Sequence, residues 1–85
     1  MSGDSVDIPR FTPFRTLERR LKRLQIYWRP RKGKGGHGSF VGPDKAGRTQ
    51  AFSLPSSQHR QVAKAYVVGL MRRFGLTVTD LFSDA

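Results

Sequence analysis

The chain predicts an α+β fold, a two-layer α-β-β-β-α sandwich in which both helices cover one face of a three-stranded antiparallel sheet. Three observations lead there. Leu17, Leu21 and Leu24 recur at i, i+4 and i+7, the spacing of a helix that buries one stripe. Three short alternating segments, over 25–29, 37–41 and 48–54, follow at the close spacing of an antiparallel meander. A second apolar stripe, Ala63, Tyr66, Val67, Leu70 and Phe74, then falls at helical spacing. The chain has 85 residues and forms one domain. At that size only about 60 to 65% of the unfolded surface is hidden on folding, so the core is small. Chemistry therefore belongs on an open face or in a shallow groove.

Each element has a local reason. Residues 1–14 carry Ser, Gly, Asp and Pro, with Ile8 and Phe11 as the apolar anchors, and read as a flexible or loosely docked arm ahead of a domain over 15–85. Thr16 is the expected N-cap of the first helix, whose outer face carries Arg19, Arg20, Lys22 and Arg23. In the first strand Ile26 and Trp28 point to the core and Tyr27 and Arg29 away from it. Pro30, which lacks a backbone donor, marks an edge strand or its end. Alternation in the next two strands sends Phe40, Phe52 and Leu54 inward, and His37 and Ser39 to the opposite, polar face. Gly42, Pro43, Asp44 and Gly47 make the turn between them. Pro55, Ser56 and Ser57 break the third strand and offer a cap to a helix over 58–74. Gly75 closes that helix in the left-handed conformation, and 79–83 adds a last turn.

Sixteen Lys and Arg against six Asp and Glu give a formal charge of +10, which points to a polyanionic partner. The stretch Arg31 to Phe40, RKGKGGHGSF, concentrates that charge with glycines and one of the two histidines. Glycine lets a sugar-phosphate chain come close, and Lys and Arg hold it there. Histidine, with an ordinary pKa of about 6.5, both takes and gives a proton near neutrality. RNA is accordingly the expected partner, with His37 placed to do chemistry as well as bind. Tyr27, on the open side of its strand, is the candidate for stacking on an unpaired base.

Other chemistries find little support. The chain has no cysteine, which rules out disulfides and thiolate metal sites. Its acids (Asp4, Asp7, Glu18, Asp44, Asp80 and Asp84) are scattered, whereas two-metal nucleases need clustered carboxylates. No metal or other cofactor is expected. The run GKGG lacks the spacing and the strand-to-helix setting of a phosphate-binding loop, so no nucleotide cofactor is expected either. No apolar run approaches about 18 residues and no signal-peptide core follows Met1, so the expectation is a soluble cytoplasmic protein without membrane contact.

The order helix, three strands, helix is that of the double-stranded RNA-binding-domain fold, and the residues narrow the likeness. Lys34-Gly35-Gly36-His37, then Phe52-Ser53-Leu54-Pro55, then Phe74-Gly75-Leu76 resemble the motifs of HicA-type toxins, over roughly residues 16 to 82. That family carries Lys-x-x-Gly-Ser-His or a close variant on its second strand, an apolar residue with Pro at the end of the third, and Gly-Leu closing the last helix. Two departures stand out. Gly36 takes the place of the serine before the histidine, leaving Ser39 as the nearby hydroxyl. Ser57 takes the place of a histidine that many members have after the proline, and His59 is out of register. His59 therefore reads as a surface residue at the start of the helix with a phosphate-binding option.

The resemblance implies a double-stranded RNA-binding-domain-like mRNA interferase, the ribosome-independent toxin of a type II toxin-antitoxin module. Its substrate would be mRNA, and its partner a HicB-type antitoxin covering the basic face and His37. RNA cleavage without metal needs a base for the 2′-hydroxyl, stabilised charge on the phosphorane, and a proton for the 5′-oxygen. His37 is the candidate acid or base. Lys32, Lys34 and Arg31 are candidates for the charge, with Tyr27, Arg29, Gly35, Gly36 and Ser39 completing the RNA-binding set. From the residues alone two other readings stay open, a non-catalytic RNA-binding module of the same fold and a basic structural protein of a ribosome or virion.

Overall fold

A computed structural model of the chain describes residues 8–30 and 37–83. Strand β1 (Phe11–Pro13) leads directly into helix α1 (Phe14–Lys22), whose Leu17 and Leu21 are fully buried as their spacing requires. Burying a leucine side chain of this kind stabilises by about 1.5–3 kcal/mol. The helix starts two residues before the expected cap at Thr16, and no side chain caps it. Its first donor is satisfied from elsewhere: Phe14 N–H donates to the carbonyl of Arg60 at 2.9 Å.

Arg60 is adjacent because β1 pairs with a second short strand, β5 (Gln61–Ala63), in an antiparallel ribbon with Phe11 opposite Ala63 and Thr12 opposite Val62. The described part of the expected arm thus contains a strand, while residues 1–7 lie outside the described residues. Ile8 packs against the core as an anchor should, but Phe11 is 58% exposed and anchors nothing. The alternation explains this, since Thr12 takes the inward position and turns Phe11 and Pro13 outward. The ribbon also displaces the second helix. Instead of running from 58, the chain makes a 3-10 turn (Ser56–Gln58), spends 61–63 on β5, and begins helix α2 (Lys64–Phe74) only then.

The main sheet is antiparallel in the order β2 (Tyr27–Pro30), β3 (Gly38–Pro43), β4 (Thr49–Leu54). Pro30 closes β2, an edge strand, the setting in which a residue without a backbone donor is tolerated. Register places Trp28 beside Phe40 and Phe40 beside Phe52, on the side that meets the helices. There Phe40, Leu54 and Ile26 are fully buried with Leu17 and Leu21 of α1 and Val67, Leu70 and Phe74 of α2, while Trp28 and Phe52 are half-buried at the margin.

Gly75 ends α2 at φ 69°, a left-handed residue that lets Leu76 N–H reach back to the carbonyl of Met71 at 2.8 Å. The last turn expected at 79–83 is a short helix, α3 (Val78–Phe82), opened by a capping box in which Thr77 and Asp80 satisfy each other's backbone N–H. Arg20 of α1 secures it, donating to the Leu81 carbonyl at 3.1 Å and lying 5.9 Å over the Phe82 ring. The whole is a small α+β domain: a three-stranded antiparallel sheet with helices, plus one ribbon.

Candidate functional site

The side of the sheet away from the core is built from alternate residues of each strand. Arg29, Ser39 and Ser53 lie across one row, and Tyr27, Val41 and Ala51 across the next. The Ser39 and Ser53 hydroxyls are 3.2 Å apart and share a hydrogen bond. Tyr27 is 44% exposed and its hydroxyl donates to Gln25 Oε1 at 3.0 Å. The middle of this face carries short side chains, and an arginine and a phenol stand at its β2 edge, so a flat, extended ligand can lie against it.

His37 is exposed and directly precedes β3. It stands two residues before Ser39, and Gly38 between them is buried. Of the residues expected to form the site, Tyr27, Arg29 and Ser39 share the open face, and His37 is exposed just ahead of the strand that carries Ser39. Arg31, Lys32, Lys34, Gly35 and Gly36 lie outside the described residues.

The histidine that lies among aromatic rings is His59, which the sequence reading left on the surface. Its Nε2 is 3.0 Å from the carbonyl oxygen of Leu54, the register partner of Gly38. A carbonyl only accepts, so Nε2 carries the hydrogen and Nδ1 is the ring atom left to accept or, in the imidazolium, to donate. The ring meets Trp28 edge-on at 5.0 Å between centroids and Phe14 at 5.8 Å, and Phe14 in turn contacts Trp28 at 4.9 Å and Phe40 at 5.6 Å. The late start of α2 is the reason, because residue 59 falls in the turn that folds back under β4 instead of on a helix face.

Beside this ring opens a cleft of about 400 Å³ lined by Pro13, Phe14, Arg15, His59 and Arg60. Sequence reasoning gave no role to Arg15 or Arg60. They meet only because β1 pairs with β5, and strands of three residues leave no periodic trace. The first turn of α1, which lines the cleft, contains no acid.

The described acids that carry clear partners lie elsewhere. Asp44 accepts from Gln50 Nε2 and from the backbone N–H of Arg48 and Ala46, all at 2.9 Å, and these bonds, Gln50 foremost, hold its carboxyl below the usual range. Asp80 is held low by Lys45, whose Nζ is 2.7 Å away, and by the backbone N–H of Thr77. Both carboxylates are occupied in turns, which leaves the cations near the cleft and on the open face uncompensated by them. Among the described residues no group of three or more His, Cys, Asp or Glu is placed to hold a metal, and no helix is long and apolar enough to cross a membrane. Comparison with protein-family models, with curated proteins and with solved structures finds no match.

Proposed function

We propose that this protein is a metal-independent RNA endonuclease of the HicA toxin kind, with a double-stranded RNA-binding-domain-like fold and His37 as its proton-transfer residue. One observation supports the reading: His37 is exposed immediately before β3, whose first outward residue, Ser39, is paired with Arg29, while the core side is filled by Phe40 and Leu54. A ribose-phosphate link lying there meets an imidazole in water and a guanidinium one strand away. His37 takes the proton from the 2′-hydroxyl; the 2′-oxygen bonds to the adjacent phosphorus, the bond from phosphorus to the 5′-oxygen breaks, and that oxygen takes a proton from solvent water, while His37 later returns its own to solvent. The products are a 2′,3′-cyclic phosphate and a 5′-hydroxyl. General acid-base help of this kind is worth about 10²- to 10⁴-fold, enough for a slow nuclease that harms a cell. An antitoxin of the HicB kind would neutralise it by covering this same face.

The test is His37→Ala in the full chain. Cleavage and growth inhibition vanish while RNA affinity falls little. An unaltered cleavage rate overturns the assignment, and absence of cleavage by both forms, with RNA still bound, leaves a binding module of the same fold.

A further inference from the structure

We infer that the cleft between the start of α1 and the turn at 59–60 is a phosphate site, distinct from the open face that carries His37. Three features of the cleft point to an oxyanion. Arg15 and Arg60 line it, and among the described residues no carboxylate pairs with either. Arginine presents a planar fork of donors that matches a phosphate two oxygens at a time. His59 lines the cleft with them and is fixed in place, its Nε2 on the Leu54 carbonyl and its ring against Phe14 and Trp28, so that Nδ1, which donates to an oxyanion when the ring is an imidazolium, has its direction set before any ligand arrives. A surface histidine would have to be ordered on binding; this one is ordered already.

The two histidines also lie at the same end of the main sheet, His37 just before β3 and His59 five residues after Leu54, the last residue of β4. His37 is bonded to Gly38, Gly38 is paired with Leu54, and the carbonyl of Leu54 holds His59, so one short path across the end of the sheet joins the two imidazoles. The cleft takes a phosphodiester of the same chain, a short distance along from the bond at His37, and so gives the enzyme its grip on the strand and its register. This part rests on the function proposed above; the phosphate chemistry of the cleft does not, since a free phosphoanion would be held by the same three side chains.

The experiment uses the full chain and two probes, inorganic phosphate and a short 2′-O-methyl RNA that cannot be cleaved. The His59 ring signals are followed by NMR, and oligonucleotide affinity is followed against salt, in the wild type, R15Q/R60Q and H37A. Both arginines are exposed, so the double substitution is close to neutral for folding. The oligonucleotide is expected to move the His59 signals in the wild type and H37A but not in R15Q/R60Q. The slope of log affinity against log salt should become shallower by about 0.7 for the lost phosphate contact. Phosphate moving the signals while the oligonucleotide does not assigns the cleft to a free phosphoanion. Signals unmoved by either probe, or moved equally in R15Q/R60Q, overturn the site. Because H37A retains the effect, loss of the nuclease reading and loss of this one are told apart.

Discussion

Trp28 covers Gly38 so closely that a β-carbon at Gly38 would overlap Cζ2 of the indole and lie 2.7 Å from its Cη2, with the Arg29 carbonyl oxygen at 3.0 Å. The absence of a side chain lets the indole fold over the start of β3 and meet Phe14, Phe40 and His59. Gly38→Ala must drive the ring out of that stack or push the strands apart. A loss of about 1–3 kcal/mol is expected, the usual penalty of overpacking, together with a shift in tryptophan fluorescence, since Trp28 is the one tryptophan. An unchanged urea midpoint would show that the indole has room to spare.

Thr12 offers the opposite kind of change. Its hydroxyl is buried in β1 and has no hydrogen-bond partner among the described residues. An unsatisfied buried polar atom costs about 1–3 kcal/mol, so Thr12→Val, which keeps the shape and removes the atom, should raise stability by roughly 1 kcal/mol in denaturant titrations. Destabilisation would mean that the hydroxyl has a partner after all.

Gln25 sits at φ 65°, in the left-handed region, where the chain leaves α1 for β2. A residue with a β-carbon is strained there by roughly 1 kcal/mol, and glycine is not. The exposed bond from the Tyr27 hydroxyl to Gln25 Oε1 offsets little of this. Gln25→Gly should therefore raise the melting temperature, and Gln25→Ala should not.

Acid should weaken the fold through Asp80. Its carboxyl is held below the ordinary 3.8 by Lys45 first and by the Thr77 backbone next. A carboxyl with a folded-state pKa lower than its unfolded one stabilises the fold fully above the unfolded value and loses that contribution as pH falls through the folded one. Asp80→Asn should thus melt earlier than the wild type at neutral pH, with the gap narrowing from about pH 4 downward. Thermal scans across that range decide it, and a gap that stays constant contradicts the linkage.

Arg29 stands directly across from Ser39, one strand away, on the open face. If the RNA backbone lies there, Arg29→Gln removes one phosphate contact and lowers the salt slope of binding by about 0.7, with little preference among sequences. Equal slopes for the two proteins would move the RNA off this face.

Where a pattern repeats over several residues, the sequence was a good guide. The alternation that sends Phe40 and Leu54 inward and Ser39 outward holds, as do the stripe of Val67, Leu70 and Phe74 and the left-handed close at Gly75. Its failures share a cause. The ribbon pairs Thr12 with Val62, three residues with three, too short to show a period and too distant in sequence to show a turn. Missing it moved the start of α1 from Phe14 to Thr16 and the start of α2 from Lys64 to residue 58, and it left His59 on a helix surface rather than against Trp28. On the open face a strand's period of two was enough to bring Ser39, Arg29 and Tyr27 to one side. The cleft depends on tertiary pairing and was invisible.

Pro13 passes into Phe14 and Ala63 into Lys64 without an intervening residue, so both long helices spring from the same pair of bonded strands. That makes the ribbon a clasp: its three residue pairs, Thr12 with Val62 in the middle, close a belt of chain that contains α1 and the whole main sheet. Contacts of such separation form only after the entropy of the enclosed loop has been lost, so the belt fastens late in folding. Shortening the chain to Phe14 would leave β5 as a bare edge with Val62 uncovered, freeing the two helices to drift apart and dissolving the wall that the cleft shares with α1.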